Sequence, residues 1–427
     1  MVATLFPLAV FFLMIGVPVF LAILIPSFLV LNMYFPQMQA DILLQQMVGG
    51  INSFSILSIP FFILAADIIS QGQIGKKLVN LANTLVGHIT GGLAIATIVT
   101  CLFFGAISGA GSAAVVAIGG IVYPVLVEKG YKKGFIIGLI LASSSLAMLI
   151  PPSIAMILYS TVAPQASVGD LFAGGIILGT LTGFAFMVYS YIYAKKHNIP
   201  KEKFVGYKNI GKAFHEAGWA LGLPIVILSG IYLGLTTITE AAAIAVAYAI
   251  FVEMIVYKGT KLKDLWEVTS KSGLVITMLL VLIAAGKAIS YVMTIAGLPA
   301  IITDLFGDFS AIIVLAIITV IFLIAGMFID PNSAVIILVP LITPVAFALG
   351  IDPVHLGLII TLNLTIGMIT PPFGLNIFIA QGAFKIPYAQ IIPGLIPFII
   401  ISIAVLLLVT YVPDLIMWFP EMMKANG

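Results

Sequence analysis

MLIPPSIA (148–155) and MITPPFGL (368–375) each set two adjacent prolines inside a long apolar run. Proline removes a backbone donor and clashes with the preceding turn, so each pair breaks the helix that contains it. The two stretches lie 220 residues apart. At that offset Pro124 meets Pro344, Gly130 meets Gly350, Met148 meets Met368, Ile157 meets Ile377 and Gly174 meets Gly394. GAGSAAV (109–115) falls on Ile329 followed by DPNSAV (330–335). No gap is needed, and the chain reads as an internal duplication.

Composition gives the class. Apolar residues make up 62% of the chain and charged residues 8%, far from a soluble domain. Apolar stretches of about 20 residues recur from end to end, each long enough to cross a bilayer. The N-terminal stretch has no basic n-region and no cleavage site, and reads as a retained transmembrane helix. A lone cysteine, Cys101, excludes an internal disulfide and a cysteine-rich metal site. The net charge of +2 argues against a nucleic-acid partner. No nucleotide-binding motif is present, so uphill movement of a solute would draw on an ion gradient or on another chain.

Charge orients the halves. Lysines cluster at Lys76 and Lys77, at Lys129, Lys132 and Lys133, from Lys195 to Lys212, and from Lys258 to Lys271. The positive-inside rule makes these loops cytoplasmic. Their counterparts are lysine-free or acidic: the segment with Asp304 and Asp308, the Asp352-Pro353 loop, and the tail with Asp414 and Glu421. Conversely, APQASVGD (163–170) lacks lysine while its counterpart carries Lys385. Equivalent loops fall on opposite sides, which is an inverted-topology repeat of the kind found in ion-coupled transporters.

From His88 to Lys129 the chain must leave and return on the cytoplasmic side. About 38 residues at 1.5 Å each exceed one straight span. A re-entrant hairpin fits, with its tip near Ser108 to Ser112; a second should enter from the other side with its tip near Asp330 to Ser333. The expected fold is an all-α polytopic membrane protein, an inverted-topology repeat with two re-entrant hairpins and two Pro-Pro-broken helices. The first repeat is 1–215: scaffold helices 1–85, hairpin and broken helix 88–194, and a cytoplasmic linker 195–215. The second is 216–427: scaffold helices 216–297, hairpin 310–350, broken helix 354–384 and last helix 390–413. Single spans are expected near 5–31, 50–75, 216–235, 238–257 and 272–297, and KLKDLWEVTSK (261–271) as a separate helix along the cytoplasmic face.

In lipid, carbonyls orphaned at a break cost several kcal/mol each, so something must bind them. A sodium ion accepts carbonyl and hydroxyl oxygens. Candidates are Ser143, Ser144, Ser145 and Ser153 around the first break, and Asn363, Thr365 and Thr370 around the second. The tips add Ser108 and Ser112, and Asp330, Asn332 and Ser333. Two equivalent sites follow, each made by one tip and one break. Helix N-termini at the breaks favour an anionic substrate, placed near Ser112, Ser143, Ser153, Asp330, Asn332 and Asn363. The competing reading of any one serine or glycine is close helix packing. Asp330 is the foremost ionisable candidate. Lys287 has Asp67, its equivalent in the first half, as a candidate partner. Glu240 is expected to cap a helix, and His88 and His355 to be loop-end histidines.

FFGAISGAGSAAVVAIGGIVYPVLVEKGY, SSSLAMLIPPSIAMILYS, LTTITEAAA, MFIDPNSAVIILVPLITPV and MITPPFGLNIF, in that order, resemble the large membrane subunit, DctM or SiaM type, of a tripartite ATP-independent periplasmic (TRAP) transporter. The resemblance spans essentially the whole chain. It implies import of an organic acid anion with sodium by an elevator movement in the inner membrane, delivery by a periplasmic binding protein, and a small membrane subunit of about four helices. Because the chain begins with a large-subunit helix, that subunit is expected to be separate. The surrounding lipid is the remaining partner. Carried over by motif, the resemblance points to Ser108, Gly109, Ser112, Ser145, Met148 and Pro151 for one sodium site. Asp330, Asn332, Thr365, Met368, Thr370 and Gly374 match the other. The chain contains no arginine, so dipoles, hydroxyls and sodium would have to hold a carboxylate. Overall likeness inclines toward sialic acid, then C4-dicarboxylates, with no deciding residue. The rival readings are a stand-alone sodium–anion symporter, an intramembrane hydrolase using Ser108 or Ser112 with a nearby histidine, and a passive channel.

Overall fold

The computed structural model describes residues 1–38, 41–306 and 309–426. Asp308 of the charge comparison lies outside them. Among the described residues there are helices and turns but no strand. Eight of the described helices are long and apolar enough to cross a membrane.

The duplication runs through nearly every element. The hairpin Gly92–Ser108 and Gly111–Glu128 corresponds to Ala311–Phe328 and Pro331–Ala348. The broken helix Lys133–Ser145, resuming at Ile154–Val162, corresponds to Pro353–Gly367 and Leu375–Phe384. Val168–Lys196 answers to Tyr388–Tyr411, and Val19–Tyr34 to Ile238–Phe251. Both Pro-Pro bonds are cis. In each hairpin the arms, 17 and 18 residues in the first and 18 and 18 in the second, pack against each other.

Several single spans differ from expectation. The stretch 5–31 is two helices, Val2–Met14 and Val19–Tyr34. Gly16 takes a left-handed φ of 82° and Pro18 follows, which no continuous helix tolerates. The stretch 50–75 is likewise divided, into Asp41–Ile51 and Ser58–Gln71. Its counterpart is not divided: 261–271 and 272–297 join in one 34-residue helix, Leu262–Ile295. Nothing there interrupts the backbone hydrogen bonding, so the cytoplasmic-face segment is simply its first three turns. The linker shrinks to 197–206, because Val168–Lys196 and Tyr207–Tyr232 extend into it. Its Glu202 pairs with Lys129 at 3.0 Å and accepts from Asn83 at 2.9 Å. Ile74–Val86, Leu298–Phe306 and Asp414–Asn426 are additional short helices.

Glycines set the closest packing. A Cβ on Gly138 would overlap the backbone of Gly394, and one on Gly174 would overlap the side chain of Leu358. Each half's broken helix therefore lies directly on the last helix of the other half, the small-residue packing of membrane interiors. A buried carboxylate fixes another junction. Glu253, in the π-helical turn Val252–Val256, accepts from the backbone N–H of Gln73 and Ile74 at 2.9 Å. It thereby caps the helix Ile74–Val86 from a different half of the chain. Gly72 is required beside it, since a Cβ would overlap the carboxylate.

Candidate functional site

Each tip is built onto its own break. Gly109 ends Gly92–Ser108 in the left-handed conformation, with φ 60°, and its N–H bonds Gly105 O at 2.9 Å. A Cβ on Gly109 would overlap the carbonyl oxygen of Pro152, and one on Gly105 would lie 2.6 Å from Ala147 Cα. The first tip therefore rests on the first break through backbone. In the second half Gly326 and Gly367 make the same junction, with a Cβ on Gly367 falling 2.5 Å from Gly326 Cα. Gly367 is the counterpart of Ala147 at the 220-residue offset.

Four helix N-termini converge there, and they are finished differently. Asp330 caps Pro331–Ala348, accepting from Asn332 N at 3.0 Å, from Ser333 N at 3.1 Å, and from the Ser333 hydroxyl. Ser153 caps Ile154–Val162, accepting from Met156 N at 3.4 Å. Gly111–Glu128 and Leu375–Phe384 carry no side-chain cap; in Leu375–Phe384 the N–H groups of Asn376 and Ile377 are given to Met368 O and Gly374 O, so it is the N-terminus of Gly111–Glu128 that offers its first N–H groups and dipole end to an anion.

A cavity of about 570 Å³ opens between these elements. The tips contribute Gly109, Ala110, Gly111 and Ser112, and Asp330, Pro331, Asn332 and Ser333; the breaks contribute Met148, Ile154, Ala155, Met368 and Leu375. Pro18, Val19 and Phe20, with Val275, Met278, Leu279 and Leu282, form the facing wall. That wall belongs to the scaffold and was not anticipated from the sequence, because an apolar helix face carries no mark of what it faces.

Of the residues expected beside substrate, Ser112, Asp330 and Asn332 line the cavity. Ser143, Ser153 and Asn363 do not; they are fully buried. Ser108 is also buried, its oxygen receiving Ala110 N–H at 3.4 Å. Ser145 donates to Leu141 O, Thr365 to Thr361 O and Thr370 to Ile366 O, each at 2.7 Å. A hydroxyl that spends its proton on its own helix presents only acceptor lone pairs elsewhere. The buried oxygens without a partner include three on the broken helices: Ser143 Oγ, Asn363 Oδ1 and Asn376 Oδ1. Ser143 and Asn363 are related by the 220-residue offset. These orphaned oxygens and acceptor-only hydroxyls are neutral oxygen donors, the atom type hard cations take. Pro151 and Gly374 shape the breaks, and a Cβ on Gly374 would lie 2.6 Å from Met368 O. Met148 and Met368 pack together with Ala155.

Asn376 was missed. It ties the two broken helices together, its N–H bonding Met368 O at 3.0 Å and its Nδ2 donating to Ser145 Oγ at 3.4 Å. Its counterpart is Met156, so the repeat gave no signal. The Asp67–Lys287 pairing does not form. Asp67 accepts from Ser272 Oγ at 2.6 Å, whereas Lys287 Nζ reaches Thr161 O at 3.4 Å. Glu240 forms a capping box with Thr237. His88 packs edge-on against Phe204, and His355 bonds Val409 O at 2.9 Å. No hydrogen bond joins a histidine to Ser108 or Ser112 among the described residues.

Paired tip–break junctions around one cavity define a membrane transporter subunit. The chain belongs to the family described as tripartite ATP-independent periplasmic transporter, DctM component, whose model matches residues 6–415. It is 38% identical over 425 residues to the ectoine/5-hydroxyectoine TRAP transporter large permease protein UehC of Ruegeria pomeroyi, covering 99% of both chains. It is 37% identical over 446 residues to the C4-dicarboxylate large permease DctM of Vibrio cholerae, covering 99% of this chain and 98% of that one. The isethionate permease DctMQ of Oleidesulfovibrio alaskensis is 38% identical over 413 residues, which are 96% of this chain and 64% of that protein. The crystal structure of the Alcanivorax borkumensis YdaH transporter shares the fold, with a TM-score of 0.64 at 14% identity over 89% of this chain and 90% of that one. The protein is thus a TRAP large permease subunit of the bacterial inner membrane, and not an enzyme.

Proposed function

We propose that this subunit carries an organic acid anion across the inner membrane together with sodium, by an elevator movement of the hairpins and broken helices against the scaffold. The observation that carries the reading is the pair of equivalent tip–break junctions flanking one cavity, with orphaned oxygens at Ser143 and Asn363. Sodium would be held by oxygens of the tips and breaks. The anion would meet the uncapped N-terminus of Gly111–Glu128, since no lysine or histidine among the described residues lines the cavity and the chain has no arginine. A periplasmic binding protein would deliver the substrate, and a small membrane subunit of about four helices, as a separate chain, would complete the complex in lipid.

The names of the relatives favour a compact acid of the size of ectoine, a C4-dicarboxylate or isethionate, and sialic acid belongs in the same trial. The test is uptake into proteoliposomes holding this chain and the small subunit, with each labelled acid, with and without an inward sodium gradient and the binding protein. Uptake that requires both is expected. Uptake with sodium alone would replace the tripartite reading by a stand-alone symporter, and sodium-independent uptake would remove the coupling.

A further inference from the structure

Equivalent surfaces of the two halves have opposite surroundings. On the half-helix Ile154–Val162, Ala155 and Leu158 are each 1% exposed; their counterparts on Leu375–Phe384, Leu375 and Phe378, are 41% and 45% exposed. Thr161 is half-buried and its counterpart Gln381 exposed. On the second hairpin arms, Ile336 is 2% exposed and its counterpart Val116 53%. On one side Ile336 lies against Gly286 of the scaffold and the Thr161 carbonyl meets Lys287; on the equivalent side Val116 and Gln381 are exposed.

The first side is held by two neighbouring scaffold residues. Gly286 lies under Ile336 so closely that a Cβ would overlap it. Lys287 lays its stem on Gly50 and directs Nζ to Thr161 O at 3.4 Å, at the carbonyl end of the half-helix, where a cation is favoured. The offset turns Gly286 and Lys287 into Ala66 and Asp67 on the helix Ser58–Gln71. In an inverted repeat the two end states exchange the environments of the halves. The contacts of the opposite state are therefore this state's contacts transposed by 220 residues.

We propose that Asp67 and Gln381 form the contact that holds the opposite state, as Lys287 and the Thr161 carbonyl hold this one. The residue types suit the exchange. Where the first latch is an ammonium on a backbone carbonyl, the second is a side-chain amide donating to a carboxylate. Asp67 has one oxygen on Ser272 Oγ at 2.6 Å, and a carboxylate has lone pairs to spare for a second donor. Val116 would meet Ala66 in the same movement. Gln381 lies four residues before Lys385, which the charge pattern puts on the cytoplasmic side, so the closure proposed is that of the cytoplasmic face.

The inference rests on the alternating movement proposed above, and its test separates the two. In a Cys101→Ala background, cysteines are placed at 67 and 381 in one variant and at 161 and 287 in another. Both are reconstituted with the small subunit and treated with a reducible bifunctional thiol reagent, with and without sodium. The expected result is reciprocal: the condition that removes cross-linking at 161/287 produces it at 67/381. Loss at 161/287 without gain at 67/381 overturns the proposed latch and leaves alternation standing. Two pairs indifferent to sodium overturn both. As a second readout, Gln381→Lys should place an ammonium against Asp67 and slow uptake, and adding Asp67→Asn should relieve the slowing. Equal slowing in both backgrounds also refutes the contact.

Discussion

Replacing Gly109 by alanine tests the junction on which the site is built. The substitution has two separable costs. The first is conformational: at φ 60° a side chain sits in the left-handed region, at about 1–2 kcal/mol. The second is steric. The new Cβ would overlap the Pro152 carbonyl oxygen, which a carbon ordinarily approaches to about 3.3 Å, and would lie 3.1 Å from the carbonyl carbon. Both partners are backbone, so no rotamer change relieves the overlap and the tip must withdraw by on the order of 1 Å. Binding constellations tolerate about 0.5 Å. Gly130 is the control, with φ 85° and nothing within 4 Å of its Cβ position. Gly130→Ala should lose about 1–2 kcal/mol of stability and keep uptake. Gly109→Ala should lose sodium-driven uptake in proteoliposomes while still assembling with the small subunit. Equal uptake by the two variants, with matched thermal unfolding, would refute the claim that the tip acts through its contact with the break.

Glu253→Ala would leave the Gln73 and Ile74 N–H groups unpaired in a buried setting and should cost about 3 kcal/mol, seen as a lower unfolding temperature in detergent. Unchanged melting would mean that water or another group replaces the carboxylate. At Asp330 two variants divide the roles: Asn retains the cap and removes the charge, whereas Ala also removes the cap, at about 1 kcal/mol. Both should abolish uptake with the complex intact if the charge is used in transport, and full activity of Asp330→Asn would restrict the residue to capping. Ser143→Ala and Asn363→Leu each remove one orphaned oxygen, and each should raise the sodium concentration for half-maximal uptake. An unchanged sodium dependence in both would place the ion elsewhere.

The repeat was legible because proline and glycine carry backbone information directly. Two Pro-Pro pairs at one offset located the breaks, and the length of charge-free chain that leaves and returns on one side placed the first tip near Ser108 to Ser112 and, by the repeat, the second near Asp330 to Ser333. Lysine placement oriented the halves. What stayed hidden was relational. Nothing in Val275 or Met278 distinguishes a side chain facing a cavity from one facing lipid, since both surroundings are apolar. Glu253 reads as a costly charge in an apolar run until the distant N–H groups of Gln73 and Ile74 are brought to it. Asn376 breaks the repeat's symmetry and so escaped a reading that relied on it. The pairing of Asp67 with Lys287 failed for a related reason: equivalence under an inverted repeat puts two residues at opposite ends of the scaffold, not side by side.

The crossing of Gly138 on Gly394, and of Gly174 by Leu358, bears on ancestry. Each half lends its broken helix to the other half's last helix, the reciprocal exchange seen in swapped dimers. A lone half would face lipid with a helix shaped for a partner's backbone. The ancestral unit is then best pictured as a short protein that inserted into the membrane in both orientations and functioned as an antiparallel pair. In the present chain the connector 197–206 is the tether that holds the halves at a fixed local concentration. Once joined, the halves were free to diverge, and Asn376 opposite Met156 is a trace of that freedom.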